Sequence, residues 1–213
     1  MKISDIISEA PIPDDWDTSK FAKPTSFREM VAYAKERSKQ LGVGSSRVAF
    51  EIPYQGRETV LKVAKNNKGI AQNKEEIILF SDYIFRGLEI AIPVIDWDEV
   101  NEDRPTWIHV EKAQKITNKQ MSKFLGGVDL QTAISHVNFM AGKSKFAFSI
   151  ESEEQKERLY ESELFNKLIE LAMSFPSVIF GDLMRVANWG LYNGNPVIID
   201  IGFTTETEKL YFK

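Results

Sequence analysis

Three stretches near the C-terminus decide how this chain is read: Val178-Ile179-Phe180-Gly181-Asp182-Leu183, then Asn188-Trp189-Gly190, then Val197-Ile198-Ile199-Asp200-Ile201-Gly202. Each sets a hard-oxygen side chain beside an apolar run. Asp200 carries the most weight, because a carboxylate closing an apolar strand is costly to bury without a cation or hydrogen-bond donors. Asp182 and Asn188 can each be read as turn residues when taken alone. Together, two carboxylates and an amide are the kind of donor set that Mg²⁺ shares with water and substrate phosphates.

Composition sets the bounds. The chain has 213 residues, 43% of them hydrophobic and 27% charged, enough for a packed core in one domain or two small lobes. Lys and Arg total 27 against 31 Asp and Glu, a net charge of -4. Nucleic acid as a main partner gains no support from that balance, since phosphate-backbone binding leaves a basic excess. There is no cysteine, which removes disulfides, thiolate metal sites and cysteine nucleophiles. His109 and His136 are far apart and read as structural. The N-terminal Met1-Lys2-Ile3-Ser4-Asp5 has no signal-peptide core, and no apolar run of about 18 residues suggests a membrane span. The expectation is a cytoplasmic protein without a membrane partner.

Upstream, residues 1–25 read as an N-terminal arm, with Ile3, Ile6 and Ile7 followed by Pro11, Pro13, Asp14, Asp15 and Pro24. The arm is expected to hold one helical turn, packed on the body or on a partner. A helix is expected over 26–40, N-capped by Ser26 with Glu29 three residues on, and ended by Gly42. Strands are expected at 48–52 and 58–64, joined through Pro53-Tyr54-Gln55-Gly56-Arg57. A helix over 70–86 follows, then strands at 91–96 and 106–111 with Asn101-Glu102-Asp103-Arg104-Pro105 as their turn. Helices are expected at 117–125, 129–140 and 151–174. Short strands near 178–180, 189–192 and 196–200 close the chain.

Two further features bear on chemistry. Gly42-Val43-Gly44-Ser45-Ser46-Arg47-Val48 precedes a strand. It reads either as a helix C-cap or as a loop whose small residues let backbone N–H groups approach phosphates. Lys62 lies in Val60-Leu61-Lys62-Val63-Ala64, where it either snorkels from a sheet face or is buried against a carboxylate. The next helix offers Glu75 and Glu76. Glu76 is preferred because Ile77 and Phe80 follow it on an apolar face. The acidic Asp96-Trp97-Asp98-Glu99 reads as a solvated turn.

In order, the Gly42 loop, Lys62, Glu76, the 110–113 segment, Asp182, Asn188 and Asp200-Ile201-Gly202 resemble the protein-kinase-like superfamily over about residues 41–203. The resemblance implies an α+β, two-lobed fold. A five-stranded antiparallel N-lobe would occupy 26–111, and a reduced, mainly helical C-lobe 112–213. It implies ATP and Mg²⁺ as cofactors. Gly42, Gly44, Ser45, Ser46 and Lys62 would cradle the phosphates, Glu76 would pair with Lys62, and adenine would lie against the backbone at Glu111 and Ala113. Asp182 would orient or deprotonate an acceptor hydroxyl, with Lys62 counted beside it as catalytic, and Asn188 and Asp200 would hold the metal.

The chain departs from the family pattern at four places. Phe180-Gly181 stands where the family has a His or Tyr, Asn188 is one position late, and Ile201 replaces a Phe. Only 11 residues follow Gly202, so no activation segment or C-terminal helical subdomain is expected. That argues against a peptide-directed Ser/Thr kinase. The implied function is an atypical kinase passing phosphoryl to an unknown protein or small-molecule acceptor. The alternatives are a pseudokinase-like binding module without turnover, or a phage structural or assembly protein, which would place it in the host cytoplasm.

Overall fold

The structure is a computed structural model and describes residues 12–13, 16–22, 25–101 and 103–211. Ile3, Ile6, Ile7, Pro11, Asp14, Asp15, Pro24 and Glu102, named above, lie outside the described residues. The α+β expectation holds. The chain divides into two compact units, one of Met1–Asn73 with Val94–Glu111 and one of Lys74–Pro93 with Lys112–Lys213. Among the described residues no helix is long and apolar enough to cross a membrane.

In the first unit, helix α1 (Phe27–Arg37) starts at the capping box read from sequence. Ser26 Oγ accepts from Glu29 N at 3.3 Å, and Glu29 Oε2 accepts from Ser26 N at 2.9 Å. The helix stops short of residue 40, because Lys39–Val43 pairs with the next strand as β1. That strand is exposed at every position, so no alternation of apolar and polar residues marked it.

Strands β2 (Arg47–Tyr54) and β3 (Arg57–Ala64) are longer than the sequence suggested. Only Gln55 and Gly56 form the turn, with φ of 49° and 75°. Two successive positive-φ residues give the twist that suits a two-residue hairpin. Pro53 sits in β2 beyond the last β1 pairing, where its missing N–H breaks no ladder.

With β4 (Val94–Trp97) and β5 (Trp107–Glu111), the sheet runs β1-β2-β3-β5-β4, antiparallel throughout. Ile12, Trp16 and Phe21 from the N-terminal segment bury against Met30 and Tyr33 of α1 and Phe50, Leu61 and Val63 of the sheet. The described part of the arm thus packs on the body, at about 1.5–3 kcal/mol per large side chain buried. Its single helical turn is the 3₁₀ turn Thr18–Phe21.

Helix α2 (Asn67–Ser81) begins in the first unit and continues into the second. The helix expected over 70–86 breaks at Asp82, whose carboxylate accepts from Ile84 N and Phe85 N and starts α3 (Tyr83–Leu88). The second unit continues with strand β6 (Gln114–Lys115), helices α4 (Asn118–Phe124) and α5 (Leu130–Met140), α6 (Glu153–Glu161) and α7 (Glu163–Ser174). The single helix expected over 151–174 is two, because Ser162 caps a fresh start by accepting from Phe165 N.

The strand expected at 178–180 is one bridge, Val178 to Thr204, running into the helical turn α8 (Phe180–Leu183). Strands β7 (Trp189–Tyr192) and β8 (Asn195–Ile198) join β6 in a three-stranded sheet, and α9 (Thr205–Glu208) follows. The last strand ends at Ile198 rather than at residue 200. The core of this unit gathers Phe85, Met121, Leu125, Phe165, Leu168 and Trp189.

Candidate functional site

Asp182 sits in α8, just past the buried Phe180. From there the chain turns through a 3₁₀ segment, Val186–Asn188, into β7. Asp182 O accepts from Arg185 N at 3.3 Å, and Arg185 O accepts from Asn188 N at 2.9 Å. Asn188 Nδ2 then donates back to Asp182 O at 2.9 Å. The late position of Asn188 is absorbed by this turn, and its side chain still closes on Asp182. Fixing Nδ2 sets the amide plane; Oδ1 is the atom with which an Asn ligates a cation. Trp189 anchors the turn from below, its Nε1 donating to Leu183 O at 2.8 Å.

Asp200 reaches the same place by a different route. Ile199 N donates to Asn188 O at 2.8 Å, which ties the residue before Asp200 to the Asp182 turn. The Asp182 carboxyl is pushed above the ordinary Asp value, first by burial and then by the negative charge of Asp200. Arg185, with Nη1 3.9 Å from Asp182 Oδ1, and the Asn188 side-chain amide beside the carboxylate pull it partly back. Two mutually repelling carboxylates and an amide oxygen are hard donors of the kind Mg²⁺ takes. They are too few to close its shell, so water or phosphate would supply the rest. Arg185 was not singled out from sequence, where it is an exposed cation in a turn.

In the first unit, Gly42 and Val43 end β1, and Gly44-Ser45-Ser46 turns the chain into β2, closed by Gly44 N donating to Arg47 O at 2.9 Å. The helix C-cap alternative is therefore wrong: β1 lies between α1 and the glycines. A Cβ placed on Gly42 would meet nothing within 4 Å, so that side of the hairpin is open. The inner side is tied to α2 and the residues leading into it. Ser45 O accepts from Asn66 Nδ2 at 3.1 Å and Ser46 O from Lys65 N at 2.9 Å. Ser46 is buried, with its hydroxyl donating to Gln72. Arg47, 6% exposed, donates from Nη1 to Asn73 Oδ1 at 3.1 Å, and Asn73 Nδ2 donates to Pro105 O at 3.0 Å. Arg47 stiffens the loop.

Lys62 is 7% exposed, which removes the solvated-face alternative. Its register partners are Ala49 and Ile108, on the sheet face opposite the Phe50–Leu61 cluster. Glu76 is fully buried, whereas Glu75 Oε2 accepts from Thr204 Oγ1 at 3.0 Å. The Glu111 carboxylate is held by Arg57 through Nη2 at 2.7 Å and Nε at 3.3 Å. Ala113 packs against Gly190, where an added Cβ would come within 2.5 Å of the Ala113 Cβ.

His109, His136 and Asp98 are engaged by neighbouring protein groups. His109 Nε2 bonds Thr59 Oγ1 at 2.7 Å. His136 holds Phe148 O and the Tyr160 hydroxyl. Asp98, expected to be solvated, is buried and accepts from Thr106 N, Thr106 Oγ1 and Asn101 Nδ2.

No protein-family model matches the chain. No curated protein sequence matches it. Among solved structures it is similar to the crystal structure of aminoglycoside phosphotransferase APH(4)-Ia, at 14% identity and a TM-score of 0.34 over 87% of this chain and 81% of that one. A thermostable mutant of the same phosphotransferase, in its apo form, aligns at 15% identity and a TM-score of 0.31 over 78% and 67%. Scores at this level are too low to fix a shared fold.

Proposed function

We propose that the chain is a kinase-like phosphotransferase that binds Mg·ATP and passes phosphoryl to a hydroxyl of a protein or small-molecule acceptor. The observation that carries the reading is the closure of Asn188 on Asp182 beside Asp200, which collects a metal-type donor set from two separate loops. Asn188 and Asp200 would hold the metal, whose charge would offset that of the phosphates. Asp182, with its raised pKa, is suited to orient an acceptor hydroxyl and take its proton. The Gly42–Ser46 hairpin would offer backbone N–H groups to phosphate, and Lys62 a buried cation. Glu76 is the preferred partner of Lys62, since Glu75 is bonded to Thr204. The Glu111 side chain is engaged by Arg57, so only backbone atoms of 111–113 would meet adenine.

Calorimetric titration with Mg·ATP tests this reading. The parent protein should bind, and Lys62→Ala and Asp200→Ala should each weaken binding by at least about tenfold, the scale of one lost charged contact. Unchanged affinity in both variants would overturn it. The six-residue Asp182-to-Asn188 interval favours a second reading, a nucleotide-binding module without turnover. Turnover that disappears in Asp182→Asn would exclude that alternative.

A further inference from the structure

Thr204 joins three segments of the second unit through one buried residue. It is 0% exposed. Its Oγ1 donates to Glu75 Oε2 at 3.0 Å across 129 residues of chain, and the same oxygen accepts from Thr207 N at 3.5 Å as the cap of α9. Its backbone bridges Val178. On either side, Ile179 N donates to Phe203 O at 3.2 Å and Thr205 N to Ser177 O at 2.9 Å. Residues 203–205 are thereby fastened to 177–179, which lead directly to Asp182, while Asp200 lies four residues upstream of Thr204.

Close packing and the hydrogen bonds at Gln72 and Asn73 already restrain the start of α2. The hydrogen bond from Thr204 to the Glu75 carboxylate is directional and adds a restraint on the roll one residue before Glu76. Successive residues on a helix point about 100° apart, so holding Glu75 also sets the direction of Glu76. Thr204 is thus placed to register helix α2 against the two carboxylate-bearing segments together.

We propose that Glu75 and Thr204 are positioning residues of the nucleotide site: their hydrogen bond sets the roll of α2, and with it the direction of Glu76, relative to the Asp182 and Asp200 segments. This rests on the phosphotransferase reading above. Neither residue touches nucleotide. Their effect reaches it through Glu76 on one side and the metal-type donors on the other.

The test is a double-mutant cycle in Mg·ATP affinity, using Thr204→Val, Glu75→Leu, their combination and Thr204→Ser, with the melting temperature of each recorded without ligand. Each single change should weaken Mg·ATP binding about tenfold. The double variant should bind no worse than either single, and Thr204→Ser should bind like the parent. Glu75→Leu leaves the cap of α9 in place, so it reports on the link even where Thr204→Val disturbs folding. Parent-like affinity in Glu75→Leu, or losses that simply add in the double variant, would overturn the inference and leave the nucleotide reading standing. Absence of Mg·ATP binding by the parent protein would overturn both.

Discussion

Removing Asp182 from water disfavours its ionised form, and Asp200 beside it adds repulsion, so its pKa in the folded chain lies above the unfolded value. As pH rises, the unfolded chain therefore gives up this proton first. Folding loses stability as pH climbs through the folded pKa, and none of that loss is present below the ordinary Asp range. Asp182→Asn is neutral at every pH. Without divalent cation it should melt higher than the parent at about pH 8, and the gap should close toward about pH 3, while any phosphoryl transfer is lost. A lower melting point for the variant at about pH 8 would mean that the carboxylate is stabilised rather than strained where it sits. Asp182, Asn188 and Asp200 could be singled out as candidates from sequence because each adjoins an apolar run. Arg185 could not, since an exposed cation in a turn looks like any solvated residue.

Where one element packs on another, two of the helical glycines, Gly69 and Gly87, should respond to substitution in opposite directions. A Cβ on Gly69, in the first turn of α2, would come within 2.3 Å of Ser46 O and 3.0 Å of Ala64 Cα. The helix lies directly on the glycine hairpin, and the atoms in the way are backbone atoms of Ser46 and Ala64 and the short Ala64 Cβ, none on a flexible side chain. Gly69→Ala gains about 1 kcal/mol of helix propensity but incurs an overpacking cost of about 1–3 kcal/mol, so a net loss of stability is expected. Gly87, exposed in α3, has nothing within 4 Å of its missing Cβ. Gly87→Ala should stabilise by up to about 1 kcal/mol. Chemical denaturation of both variants checks the pair, and a stabilised Gly69→Ala would show that the hairpin is not seated on the helix. Element boundaries failed in the sequence reading for related reasons. Asp82 and Ser162 each interrupt a run whose apolar spacing continues past them, and periodicity alone does not register a new cap. Strand β1 was missed because none of its residues is buried.

At the scale of the whole molecule, the strand-rich first half and helix-rich second half were legible because each has its own apolar period. The unit boundary was not. Residues 74–93, sequence neighbours of the β-sheet, belong with the helical unit. What carries them there is long-range: Ile90 O accepts from Ile198 N at 2.8 Å, Ile92 N donates to Ile198 O at 2.9 Å, and Thr204 holds Glu75. Pairings across more than a hundred residues leave no local pattern to read. The consequence can be measured by hydrogen exchange. A ligand that binds only the native chain stabilises it by about 2.7 kcal/mol at a hundred times its dissociation constant. If the residues proposed above hold the nucleotide, Mg·ATP should slow exchange at residues 42–46 and at residues 182–188. Lys62→Ala should reduce the effect in both segments. Protection confined to one segment would remove the other segment's residues from the proposed site while binding itself stood.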